Sequence, residues 1–390
     1  MPGYELVGIE ERDAINELFD DGGILFAHGF DAIRNGRYRV REFEKAFADK
    51  LGVKYAQAVS SGTAAIKVAL FSAGVRPGDE VITQAFTFIA TVEAILDLGA
   101  KPVLVNINET LNMDPDELEK VITKKTKAIM PVHMLGVACE MDRILEVAKK
   151  YNLLVIDDNC EALGAKWNDS YLGTQADACA WSFDAGKVII TGEGGMVTTN
   201  NEDIYRYAKE YHDHGHESNP KFPRGRDTRR VYGFNYRMSE LQAAVGLAQL
   251  KKLDFIVSKN TENFNYYYEN LKNREEIKFR KIPTQSKALS DCIIFNFTSE
   301  EKSIKFVGEL SKVGLGTKNV PDAIEWHFAG YWDHMADSLG FTKMELWNSL
   351  EKSATFLKKS VALPILVKMD KNQIDINSEK IVSILDKNLK

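Results

Sequence analysis

The stretch KYAQAVSSGTAAIKVALFSAG, residues 54–74, decides the fold. KYAQAV is strand-like and ends at Val59. Ser60 and Ser61 then stand before an apolar run with helical spacing. A short strand running into a serine-opened helix is the start of a β-α-β unit. The rhythm repeats downstream. Short apolar runs recur at EVIT (80–83), PVLVNI (102–107), AIMPVHM (128–134), LLVIDD (153–158) and ACAWSF (178–183). Helical patterns separate them at 87–99, 113–122 and 140–152. This alternation predicts a mostly parallel sheet covered on both faces by helices. Ligands of such sheets bind beyond the carboxyl ends of the strands. Ser61, Gly62, Thr63, Phe88, His133, Asp158 and Lys187 all fall there on this reading.

Upstream, residues 1–40 read as irregular or short-helical, and Arg41–Lys50 as a helix with Phe43 and Phe47 on one face. Downstream, Ile204–His216 reads as a helix ending in HDHGH, and 217–230 as a polar loop. From 233 a turn leads into one long helical pattern of the kind that joins a large domain to a small one. IIFNFTS (293–299) is strand-like, 301–314 helical, and 378–390 helical. The expected division is a large domain with the N-terminal segment over 1–255 and a small α/β domain over 256–390.

Bulk properties exclude several classes. A chain of 390 residues with 44% hydrophobic and 27% charged content is that of a globular protein too long for one small core. A net charge of −6 gives no footprint for nucleic acid. No run of 18 apolar residues predicts a membrane span, and the N-terminus has no apolar signal region. The four cysteines (Cys139, Cys160, Cys179, Cys292) are widely spaced, which argues against disulfides and a cysteine-based zinc site and fits a reducing cytoplasm.

Three features carry chemistry. Ser61-Gly62-Thr63 lies at a strand-to-helix junction, where free amides and the helix dipole favour a phosphate; an ordinary helix cap has the same appearance. There is no GxxxxGK[ST], and no GxGxxG after the first strand, which disfavours a nicotinamide enzyme. Asp157 and Asp158 end an apolar strand. A carboxylate there would pair with a pyridinium nitrogen and make the ring an electron sink; a solvated pair or a metal ligand is the alternative, and no matching histidine pair supports metal. Lys187 follows the apolar run 178–183 and precedes the glycines 192, 194 and 195. A partly desolvated lysine forms Schiff bases, whereas a loop lysine would simply be solvated. Phosphate donors, an aspartate and a lysine, in that order, are the contacts required by pyridoxal 5'-phosphate.

With these motifs the sequence resembles the DegT/DnrJ/EryC1/StrS family of sugar aminotransferases, which have the aspartate aminotransferase (fold type I) architecture. The resemblance spans about 35–365. It rests on SSGTAA (60–65), GDEVITQAFTFIATVEAI (78–95), VHMLG (132–136), VIDDNCEALGA (155–165), SFDAGKVIITGEGGM (182–196) and GFNYRMSELQAAVG (233–246). It implies that Lys187 is the catalytic lysine and Asp158 the partner of the pyridine nitrogen. Gly62, Thr63 and Ser182 would hold the phosphate, and Phe88 would stack on the ring. Family members commonly have Gln or His where this chain has Glu161, near the ring hydroxyl; a carboxylate there would repel a phenolate. Asn235 would reach the partner subunit's cofactor phosphate and Arg237 the donor's carboxylate, which implies a homodimer with shared active sites.

The resemblance further implies glutamate as donor and a keto- or aldehydo-sugar as acceptor, for surface polysaccharide or lipopolysaccharide. Related sugar dehydratases carry His at the lysine position, so Lys187 favours transamination; a dehydratase or a non-catalytic regulator of the same fold is the alternative. Short echoes (the MPG start, RNGR at 34–37, SFD before the lysine, HDHGH at 212–216) point to members that aminate an 8-oxo-Kdo-type sugar acid. Arg34 and Arg37 would then meet the anionic sugar, unless they are a solvated basic face. His133, His214 and His327 complete the substrate-binding candidates. The histidine cluster at 212–216 lacks the spacing of a zinc site, and no metal is expected.

Overall fold

The computed structural model describes residues 2–219 and 221–388. Met1 of the MPG start, Pro220 of the polar loop and the last two residues of the expected C-terminal helix lie outside the described residues. The alternation of 54–199 produces β1 (Tyr55–Val59), β2 (Glu80–Gln84), β3 (Lys101–Val105), β4 (Thr126–Met130) and β5 (Leu154–Asp158). After the short β6 (Lys166–Trp167) and β7 (Ser170–Tyr171) come β8 (Ala178–Ser182) and β9 (Gly195–Thr199). Seven of these form the main sheet in the order β1-β9-β8-β5-β4-β2-β3. The pairs β5–β8, β4–β5, β2–β4 and β2–β3 are parallel; β9 runs antiparallel to both neighbours. The sheet is therefore mostly parallel, as the pattern predicts, and the fold is that of the pyridoxal-phosphate enzymes of type I.

The order matters for function. β5 and β8 are neighbours, so the chain leaves the sheet at Asp158 and at Ser182 side by side. Strand β9 then inserts between β8 and β1 and brings the turn after Val59 to the same edge. Gly195 makes this approach possible: a Cβ there would lie 2.3 Å from the Ser61 carbonyl oxygen.

The core beneath is aromatic. Phe43 and Phe47, on one face of the helix Arg39–Leu51, meet Trp181 and Phe183 edge-on or tilted with ring centroids 5.2–5.5 Å apart. Phe47 is fully buried. Phe47→Ala should cost about 3–5 kcal/mol through lost burial and an unfilled cavity. Denaturant titration checks this; a loss below about 1 kcal/mol would show that the site collapses freely.

Two expectations are sharpened. The N-terminal region contains a 12-residue helix, Ile9–Asp20. The long pattern after 233 is two helices, Glu240–Leu250 and Leu253–Leu271. The break falls at Lys251–Lys252, where the Lys252 ammonium turns to Glu11 of the N-terminal helix (2.7 Å) and to the Leu6 carbonyl (2.6 Å). Beyond it, β10 (Lys278–Phe279), β12 (Cys292–Asn296) and β13 (Ser360–Pro364) make a second, antiparallel sheet, while β11 (Ser286–Lys287) joins β6 and β7. The segment 326–329 lies alongside 85–89: Thr87 N–H donates to the His327 carbonyl (2.8 Å) and Ile89 N–H to that of Trp326 (3.0 Å). This contact carries residues from far along the chain to the ends of the main strands.

Candidate active site

A cavity of about 480 Å³ opens at the carboxyl ends of β5 and β8. Ser61, Gly62, Thr63, Phe88, Asp158, Glu161, Ser182, Lys187 and His327, nine residues expected from sequence, line it. The helix Gly62–Ser72 starts at its edge; Ser61 caps it, accepting the Ala64 N–H at 3.1 Å. At such a start the first amides lack helical acceptors, and a phosphate satisfies them. A Cβ on Gly62 would stand 2.7 Å from the Cβ of Ser182, so only glycine lets the turn close onto that serine.

Asp158 is buried at the end of β5. Its Oδ2 accepts from the Thr91 hydroxyl at 2.8 Å and its Oδ1 from the Cys160 N–H at 3.1 Å. Thr91 in turn meets the Thr87 hydroxyl at 2.6 Å. Phe88, two-fifths exposed, lies over the same space with its ring centroid 5.4 Å from that of His327. Nζ of Lys187 lies 3.8 Å from Oε1 of Glu161. Burial alone would raise the Glu161 pKa, but the neighbouring Lys187, His327 and Lys318 side chains outweigh it, and the carboxyl is held down to about 2. Glu161 is thus an anion at neutral pH in this cavity.

Sequence reading missed Thr91, Lys318, Asn319 and Asp291. Thr91 gave no signal beyond lying in the 78–95 motif. Lys318 and Asn319 sit on a turn between strands β12 and β13 of the second sheet, and nothing local in the sequence ties that turn to a cavity about 130 residues upstream. The Lys318 ammonium is bound to the Asp291 carboxylate.

Other expected residues are not brought to the cavity. Arg34 is buried: it donates to the Phe26 carbonyl (2.5 Å) and lies 3.8 Å from Glu240 and 4.0 Å from the Tyr38 ring. Arg37 pairs with Glu42 (3.1 Å) and Asp21 (3.5 Å). These carboxylates already occupy the guanidinium groups that were expected to read an anionic sugar. His133 is fully buried under the strand ends, where Nδ1 accepts the Cys139 N–H at 3.0 Å and Nε2 faces Asp157 at 3.6 Å. The histidine cluster diverges: His212 bonds the Lys209 carbonyl, His216 bonds Asp227, and His214 is exposed. Among the described residues no group of three or more His, Cys, Asp or Glu is placed to hold a metal ion. Asn235 is exposed, and Arg237 is bound 2.6 Å from Asp213, which also takes both nitrogens of Arg224.

The residues fit pyridoxal 5'-phosphate. The free helix start and the closed Gly62–Ser182 contact suit its phosphate. Asp158, with Thr91 and Cys160 fixing it, suits the ring nitrogen, and an amine projects between them. Comparison with known proteins agrees. The profile of the DegT/DnrJ/EryC1/StrS aminotransferase family matches residues 28–382. The chain is 46% identical over 264 residues to GDP-perosamine synthase of Caulobacter vibrioides, covering 67% of each chain. It is 39% identical over 280 residues to the GDP-perosamine synthase of Escherichia coli O157:H7, covering 71% of this chain and 73% of the relative. Among solved structures, Helicobacter pylori PseC, an aminotransferase involved in the biosynthesis of pseudaminic acid, superposes with a TM-score of 0.83 at 25% identity over 97% of both chains.

Proposed function

The chain belongs to the DegT/DnrJ/EryC1/StrS aminotransferase family and is a pyridoxal-phosphate-dependent enzyme, and from that premise we propose that it moves an amino group from glutamate to a nucleotide-linked keto-sugar destined for surface polysaccharide. The observation that carries this reading is the meeting of Lys187, Asp158 and the Gly62 helix start in one cavity. The nucleotide-linked acceptor is favoured over a free sugar acid by the GDP-perosamine synthase relatives. It is favoured too by the engagement of Arg34 and Arg37 with carboxylates of their own chain.

Bound pyridoxal phosphate supplies the electron sink that stabilises negative charge on the carbon bearing the amino group. The residues of this chain do the rest. The amides of Gly62 and Thr63 and the hydroxyl of Ser182 hold the phosphate. Asp158 keeps a proton on the ring nitrogen, and Phe88 covers the ring. Lys187 would hold the cofactor and, as a free amine, would move a proton as base and then as acid. His327 would contact the substrate.

The assay is direct. Purified protein is loaded with cofactor and offered glutamate with GDP- or UDP-linked 4-keto-sugars, or with an aldehydo-sugar acid. 2-Oxoglutarate release that depends on a nucleotide-linked keto-sugar supports the reading. Release only with the sugar acid moves the acceptor to the 8-oxo-Kdo type. Carbonyl product without donor consumption marks a dehydratase, and binding without turnover marks a regulator.

The reading includes a homodimer in which Asn235 and Arg237 serve the partner's site, and a two-domain chain divided at 255/256. Phe26, Phe30, Ile33, Tyr232 and Phe234 are exposed, and the Arg237 guanidinium lies 5.3 Å from the Phe26 ring, so the two apolar-bearing segments lie side by side. Light scattering should give twice the chain mass of 43.8 kDa. Phe30→Asp should shift it toward monomer and lower activity at least about tenfold, since buried charge disfavours an apolar interface. A monomeric wild type with full activity would overturn this part. Among the described residues no helix is long and apolar enough to cross a membrane; the reading places the enzyme in the cytoplasm, where nucleotide sugars are made.

A further inference from the structure

Glu161 stands in an unusual setting for an acid in a cofactor cavity. Its Oε2 accepts the Leu135 N–H at 3.1 Å. Its Oε1 lies 3.8 Å from Lys187 Nζ, 3.8 Å from His327 Nε2 and 3.4 Å from Asn319 Nδ2. Each of these contacts is fixed from behind. Leu135 is a non-glycine residue at φ 53°, a conformation L side chains rarely adopt, and that turn is what aims its N–H at the carboxylate. His327 Nδ1 bonds the Ala323 carbonyl at 2.7 Å, so Nδ1 carries the ring proton and Nε2 accepts from Asn319 at 3.1 Å. The amide of Asn319 therefore turns its nitrogen toward both His327 and Glu161. Lys318, the residue before Asn319, is locked to Asp291 and adds a second cation beside Lys187 on the same side.

We propose that Glu161 is a positioning residue that holds Lys187 as an ammonium against the wall formed by residues 318–327, and that its charge sets the pH at which Lys187 captures pyridoxal phosphate. The proposal rests on the functional reading above, because it requires Lys187 to bind that cofactor. Capture needs the free amine. The ammonium first gives a proton to solvent. The nitrogen lone pair then forms the new bond to the aldehyde carbon, and the two remaining nitrogen hydrogens leave with the carbonyl oxygen as water. An opposite charge within about 4–6 Å favours the charged form of a group by about 1–3 pH units. A chain with Gln at this position lacks that restraint. The other charged groups near the pair are Asp158, Asp184 and Glu193 on the cavity wall, Lys318 with Asp291, and Arg280 behind Met134. They remain in every variant below and act on all profiles alike.

The test follows cofactor capture by apo-protein with time, by absorbance near about 410–430 nm, between pH 6 and 10. Glu161→Gln keeps the shape and removes the charge. Its rate should reach the alkaline plateau at a pH at least one unit below that of wild type, with the plateau itself unchanged, so that capture at pH 7 is about tenfold faster or more. Glu161→Asp keeps the charge with one methylene fewer and should retain a profile close to wild type. Thermal melts of both variants verify folding, and if Glu161→Gln does not fold, Glu161→Ser replaces it with the same expectation. Superimposed profiles for wild type and Glu161→Gln, or equal shifts for Gln and Asp, would overturn the proposal while leaving the aminotransferase reading intact. Failure of the wild type to capture the cofactor at any pH would instead overturn that reading.

Discussion

Lys187→Ala should leave a folded protein that neither fixes pyridoxal phosphate with borohydride nor transaminates. The side chain is one-fifth exposed and forms an ion pair with Glu161, so its loss removes little packing. Its loss removes the only amine at the meeting point of Asp158 and the Gly62 helix start among the cavity residues apart from Lys318, which is locked to Asp291. General acid–base transfer by a placed group is worth about 10²–10⁴ in rate, and on the proposed reading the lysine supplies both the covalent anchor and the proton carrier. A fall in kcat of about 10⁴-fold or more is expected. Mass spectrometry of borohydride-treated wild type should find the cofactor mass on the peptide containing Lys187. A label on another lysine, or a variant retaining more than about one-hundredth of the rate, would remove Lys187 from its role.

Asp158→Asn is the second large effect. The aspartate accepts from Thr91 and from the Cys160 amide, and on the proposed reading its charge pairs with a protonated ring nitrogen. Asparagine keeps one acceptor but turns an NH2 group toward one of those donors, and it offers no charge to keep the ring protonated. Loss of one preorganised electrostatic partner costs about 10²–10³ in kcat. The fold should survive, since the substitution is isosteric and the Thr87–Thr91 pair is untouched. The expected signature is a kcat loss of that size with a smaller change in KM for glutamate, read by steady-state kinetics with a melt as the folding control. A normal kcat would show that the ring nitrogen is held by something else.

Much of this site was legible because its parts are local. A helix start, an aspartate at a strand end and a lysine after a buried strand each announce themselves within about ten residues, and a parallel sheet sends all strand ends to one edge. Arg34 and Arg37 misled because clustered arginines look the same in sequence whether they read a ligand or bind carboxylates. Glu240, about 200 residues away, and Glu42 and Asp21 claim them here. His133 misled similarly: its place at a strand end is right, but its side chain turns beneath the sheet rather than into the cavity.

Residues read in order were enough for the strand-helix alternation, the mostly parallel sheet, the cofactor and the lysine proposed to hold it. Periodicity and capping are short-range signals, and the motifs for phosphate, ring nitrogen and amine are contiguous. Only the tertiary structure decided what surrounds that lysine. Asn319, Lys318 and His327 reach it because the segment 326–329 docks along 85–89, a pairing of backbone groups that no local pattern encodes. The ionisation of Glu161 was undecidable from its neighbours in the chain for the same reason. It depends on Lys187, His327 and Lys318, the first two at 3.8 Å, which folding alone assembles around it.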